Sequence, residues 1–119
     1  MKKLTRKEEE VMKILWSLKK AFVKDIIERY GDPKPHYNTI SSLVRLLQEK
    51  GIVGYKQYGN TYQYFPLLSK EEYRKSFMKQ VVSDYFDNSY KSAVAFFVKE
   101  KGLSQEELEE LIKIIKEEK

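Results

Sequence analysis

Between Pro35 and Ile52 the chain reads HYNTISSLVRLLQEKG, residues His36 to Gly51, and this stretch constrains the fold more than any other. At about 100° per residue, Ile40, Leu43, Val44 and Leu47 fall on one side, at the i, i+3, i+4, i+7 spacing of a buried stripe. Asn38, Ser41, Ser42 and Arg45 fall on the opposite side, where nothing large or acidic stands in the way until Glu49. The first two turns of such a helix can approach a base-pair edge or a phosphate closely. Pro33 and Pro35 stop any earlier helix, and Gly51 supplies a natural C′ residue, with Lys50 in the last turn to complement the helix dipole.

The flanking segments give this helix a context. Thr5 and Glu8 have the T-x-x-E form of a capping box. Val11, Ile14, Leu15 and Leu18 then follow at helical spacing, with Leu4 placed as a hydrophobic staple, so a first helix is predicted over about residues 6 to 18. Trp16 falls off that stripe and is expected to pack on a flanking element. Lys19, Lys20 and Ala21 read as a short connection to a second helix marked by Val23, Ile26, Ile27 and Tyr30 and ended by Gly31. After Gly51 the period changes: residues 52–57 and 61–65 are β-prone runs separated by Tyr58-Gly59-Asn60, the pattern of a short antiparallel hairpin. Three helices and a hairpin in that order make a winged helix-turn-helix, a mainly α fold with a small β-hairpin, expected over residues 1–68.

Residues 69–119 read as a helical region. Ser69 with Glu72 and Ser104 with Glu107 repeat the capping-box pattern. Tyr73, Phe77, Val81, Val82, Tyr85 and Phe86 give the first helix a broad apolar surface, and a break is expected at Asp87-Asn88. The next segment is apolar almost all round, through Val94, Phe96 and Phe97. Leu108, Leu111, Ile112 and Ile115 line the last helix. Units this small bury a low fraction of their surface, so three such helices have too little interior to hide these side chains alone. A homodimer interface solves the problem, with Tyr73, Phe77, Val81, Tyr85, Val94, Phe97, Leu108, Leu111 and Ile115 as its expected contacts.

Charge and composition limit the function. Residues 1–68 hold 13 Lys and Arg against 7 Asp and Glu, a net of +6, while residues 69–119 hold 10 against 11, a net of −1. A basic first half favours a polyanion such as nucleic acid. Asn38 can pair bidentately with adenine, Arg45 can bridge guanine or clamp a phosphate, and Ser41 and Ser42 can bond to either kind of acceptor. Lys34, Tyr37, Thr39, Lys56 and Tyr58 are placed for phosphate contacts. The same residues would equally serve as an ordinary solvated helix face, and a winged helix can be a protein-interaction module without DNA contact.

An enzyme has little to stand on. The chain has no cysteine, and His36 is its only histidine. It contains no P-loop, G-x-G-x-x-G or G-x-S-x-G pattern. Glu8 to Glu10 and Glu106 to Glu110 lie at helix starts, where they are expected to favour the dipole and remain solvated. No catalytic residue, metal or cofactor is expected. MKKLTRKEEE has no apolar signal core, and no run approaches the roughly 18 apolar residues of a membrane span, so a cytoplasmic protein without membrane insertion is expected.

Four segments, LTRKEEEVMKILW, NTISSLVRLLQEKGIV, YGNTYQYFPL and SAVAFFVKEKGLSQEELEEL, together resemble the BlaI/MecI family of bacterial penicillinase repressors, which extends to the copper-responsive CopY relatives. The resemblance implies a dimeric winged-helix repressor that binds a palindromic operator of double-stranded DNA. It also implies release by proteolysis through a membrane sensor protease system that detects a β-lactam. Carried over by position, the base-reading residues fall on Asn38, Thr39, Ser41 and Ser42. The cleavage dipeptide, Asn-Phe in the family, falls on Phe96-Phe97. The cysteine pairs of the copper-responsive relatives are missing. Arg45 stands one position earlier than the family's usual arginine, so a different operator sequence is expected.

Overall fold

The computed structural model describes residues 3–102 and 104–117. Among these residues, six helices and one hairpin follow in the order α1 (Arg6–Leu18), α2 (Val23–Tyr30), α3 (Tyr37–Glu49), β1 (Val53–Tyr58), β2 (Thr61–Pro66), α4 (Lys70–Phe86), α5 (Tyr90–Lys101) and α6 (Gln105–Glu117). They divide into two compact units, Met1–Lys75 and Ser76–Lys119. The first turn of α4 therefore belongs to the first unit.

The first unit is a winged helix-turn-helix around a single core. The spaced apolar positions of each helix meet there: Val11, Met12 and Leu15 from α1, Val23 and Ile26 from α2, Ile40, Val44 and Leu47 from α3. Leu4, Ala21, Ile52, Val53 and Tyr64 complete the cluster. Both sides of the α1 capping box form: the Thr5 amide donates to Glu8 at 2.9 Å, and the Glu8 amide donates to the Thr5 hydroxyl at 3.2 Å. Trp16 packs as expected of a flanking residue. Its indole N–H donates to the Leu68 carbonyl at 2.9 Å, and its ring lies 5.7 Å from that of Tyr73.

The hairpin pairs Val53 with Pro66 through to Tyr58 with Thr61, leaving Gly59-Asn60 as a two-residue loop. Gly59 takes a φ of 60° at the first loop position, a conformation that costs a glycine little and lets a tight turn match the strand twist. Ala21, expected in a plain connection, instead bonds to β2. Its amide donates to the Tyr64 carbonyl at 2.9 Å and the Tyr64 amide donates back at 2.8 Å. One residue gave the sequence no strand periodicity to display, yet it ties the α1–α2 turn to the hairpin.

A second departure concerns Glu8. The expectation that Glu8 to Glu10 remain solvated fails at this residue, whose side chain is 1% exposed. The Lys50 ammonium donates to both Glu8 carboxylate oxygens at 2.8 Å. Lys50 is the C-cap of α3, so the ion pair ties the end of α3 to the start of α1. Burial pushes the Glu8 carboxyl upward, but the Lys50 and Thr5 hydrogen bonds and the Lys50 charge outweigh it, and the net shift is downward.

The second unit holds the rest of α4 together with α5 and α6. Ser89 caps α5 by accepting from the Ser92 amide at 3.1 Å, and Gly102 ends it in the left-handed region with a φ of 62°. Ser104 and Glu107 form the last capping box, at 3.1 and 3.3 Å. Asp87 and Asn88 break the helix at the expected place, with φ values of 50° and 64°. Among the described side chains of this unit, only Val82 and Ala93 are buried.

Candidate nucleic-acid interface

Helix α3 buries Ile40, Val44 and Leu47 and presents Asn38, Thr39, Ser42 and Arg45 to solvent. Ser41 sits half-buried on the flank of that face. Tyr37, in the first turn, is 56% exposed. His36 is the N-cap and makes no side-chain cap bond. The first acidic side chain of the helix is Glu49, in its last turn, so the preceding turns present donors, hydroxyls and one guanidinium to an approaching polyanion. Lys34, just before the helix, bonds to Glu28 at 2.9 Å in an exposed ion pair that water screens.

The outward face is not wholly polar. The expectation that nothing large stands on it before Glu49 is corrected by Leu46, whose side chain is 47% exposed. The buried stripe accounts for Ile40, Leu43, Val44 and Leu47, and Leu46 lies one position outside it.

Alternation along the strands divides the wing into two faces. Lys56 and Tyr58 share one of them, with the Lys56 ammonium 5.3 Å from the Tyr58 ring centroid. The Tyr58 ring in turn meets Phe22 edge-on at 5.8 Å. Tyr55, Tyr62 and Tyr64 share the other face, with Tyr55 and Tyr62 4.6 Å apart. Burial raises the pKa of the Tyr64 phenol, and the nearby Arg45 guanidinium opposes that rise only in part, while Tyr37, Tyr62 and Tyr55 reinforce it. Tyr55 and Tyr62, 43% and 39% exposed, extend this surface along the wing. Sequence reasoning named neither as a site residue, although the i, i+2 alternation of Thr61-Tyr62-Gln63-Tyr64 was the available signal.

In the helical region, Tyr73 belongs to the first unit, where its hydroxyl donates to Glu9 at 3.0 Å. Burial and that carboxylate push its pKa up to about 12. Val81, Val94, Phe97 and Leu108 are half-buried; Phe77 is exposed at 44% and Tyr85 at 78%. The side chains of Leu111 and Ile115 lie outside the described residues. Phe96 and Phe97 stand on α5, their rings 5.7 Å apart, with Phe96 also 5.6 Å from Phe86.

Among the described residues, no group of three His, Asp or Glu side chains could hold a metal, and no helix is long and apolar enough to cross a membrane. Residues 4–117 match the penicillinase repressor family profile. The chain belongs to the penicillinase repressor family. It is 33% identical over 113 residues to the methicillin resistance regulatory protein MecI of Mammaliicoccus sciuri, covering 91% of this chain and 89% of that protein. The MecI of Staphylococcus aureus (strain N315) is 32% identical over 109 residues, with the same coverage. The penicillinase repressor of Bacillus licheniformis is 26% identical over 117 residues, covering 94% of this chain and 88% of that protein. A penicillinase repressor is a transcriptional regulator and not an enzyme.

Proposed function

We propose that the protein is a homodimeric repressor that binds a near-palindromic operator sequence-specifically. Two copies of α3, related by a two-fold axis, enter successive major grooves about 34 Å apart. Asn38, Thr39, Ser41, Ser42 and Arg45 face base edges, while Lys34, Tyr37, Lys56 and Tyr58 hold phosphates. The observation that carries this reading is the exposed face of α3, polar and free of acid until its last turn, held beside a hairpin whose one charged residue is Lys56.

The second copy enters through residues 76–119, where Tyr85 and Phe96 leave large aromatic area in water. A penicillinase repressor so built suits control of a β-lactam resistance-type operon, with release by proteolysis through a membrane sensor system as one route. Phe96-Phe97 lies inside α5, so a protease acting there would have to unwind that helix first.

Selection of duplexes from a randomised pool by the full-length protein, followed by mobility shifts at low and high salt, tests the proposal. Recovery of one inverted repeat that outcompetes random duplex supports it. Binding with no sequence preference, or none at low salt, leaves the winged helix as a protein-interaction scaffold instead.

A further inference from the structure

The three helices of the winged helix hide their aliphatic side chains, although Leu67, after β2, is 57% exposed. Across α1, α2 and α3, Leu46 is the one aliphatic residue that is exposed, while every other one is buried or half-buried among the described residues. Leu46 also takes no part in the core cluster, which accepts its neighbours Leu43, Val44 and Leu47. Its place is specific. It stands one turn after Ser42, adjacent to Arg45 and one turn before Glu49, on the side of α3 turned away from the core.

We infer that Leu46 is a specificity-determining residue that reads thymine through its 5-methyl group in the major groove. This rests on the proposed docking of α3. In the major groove a thymine presents one acceptor oxygen and one methyl, and the methyl is the only apolar feature that a base pair shows there. A leucine has no donor or acceptor with which to read the other bases. Cytosine carries only a hydrogen at C5 where thymine carries the methyl, so against cytosine the leucine loses that contact and leaves a gap. Asn38, Ser42 and Arg45 supply the polar readout, and Leu46 adds a term that polar groups cannot give. The operator half-site should therefore contain a thymine next to the base read by Arg45 or Ser42.

The test changes the DNA and leaves the protein intact. In the duplex recovered by selection, each thymine is replaced in turn by deoxyuridine, which keeps the pairing and every hydrogen-bonding group and removes only the methyl. One or two positions per half-site should lose about fourfold in affinity for the wild-type protein, the equivalent of one methylene's ~0.8 kcal/mol. With Leu46→Ala, those same substitutions should have no effect, and the preference for thymine over cytosine there should flatten. Because Leu46 lies outside the core, the variant should melt with the wild type. Deoxyuridine effects that are absent in the wild type, or that persist unchanged in Leu46→Ala, overturn the inference while leaving the repressor reading intact. Failure to recover any preferred duplex overturns both.

Discussion

The two halves of the molecule spend their apolar residues differently. In the first unit thirteen buried side chains form one cluster, and the stripes of α1, α2 and α3 all point into it. In the second, Val82 and Ala93 alone are buried among the described side chains, while Tyr85 stays 78% and Phe96 47% exposed. Both halves are rich in hydrophobic residues, so composition does not distinguish them. Periodicity does. A helix that packs within its own chain shows one apolar stripe, whereas one that must also meet a second surface shows apolar residues on several sides, as α5 does. The first unit thus hides its apolar surface within its own chain, while the second leaves large aromatic side chains in water.

Core truncation should separate the halves most sharply. Leu15→Ala, at a fully buried site, should cost about 2–5 kcal/mol at any protein concentration, read by chemical denaturation. The second unit's transition should instead move with concentration, as expected when folding and association are linked. If the two transitions respond alike to dilution, the distinction collapses.

The ion pair of Lys50 and Glu8 gives the next largest effect. Lys50→Met strands a buried carboxylate and should cost about 2–4 kcal/mol, less than a fully buried pair would because water reaches the Lys50 side chain. The same pair sets a pH dependence. The folded protein holds the Glu8 carboxyl below its ordinary value of 4.5, so the stabilisation is complete above that pH and disappears as pH falls through the lowered folded value. Wild-type melting should decline on acidification below about pH 4.5, and Lys50→Met should lose the part of that decline due to Glu8. An identical acid profile in the two proteins would assign the decline to other carboxylates.

Two smaller effects probe the surfaces. On the selected duplex, Asn38→Ala should cost about 1–3 kcal/mol and relax preference at one base, whereas Lys56→Ala should weaken all duplexes alike and reduce the salt slope by about 0.9. Equal losses for both on specific and random DNA would erase that division of labour. In the second unit, Tyr85→Asp should raise the dimer dissociation constant about tenfold, the equivalent of ~1.4 kcal/mol, by placing a charge where an aromatic ring would be covered. Sedimentation of variant and wild type at matched concentrations checks it.

Much of this architecture was legible in the sequence because it is local. The three T-x-x-E and S-x-x-E boxes, the stop at Gly31 and the Gly59 turn each announce themselves within a few residues, and the element order follows. Contacts between segments distant in the chain were not legible. Nothing near Glu8 indicates that Lys50, at the far end of another helix, will neutralise it, and a lone bridge at Ala21 has no period. The candidate site divides the same way: the polar face of α3 is a matter of helical phase, while Leu46 and the Tyr55–Tyr62 pair acquire meaning only when neighbouring elements show which side is left open.

The most direct test of the central claim is the number of chains on one selected duplex, measured by sedimentation of the full-length protein titrated onto labelled DNA. Two chains per duplex, binding together with no stable one-chain complex, is the predicted result. A tight complex with a single folded chain would contradict it, because the first unit would then need no second copy and the exposed aromatics of the second would require another explanation.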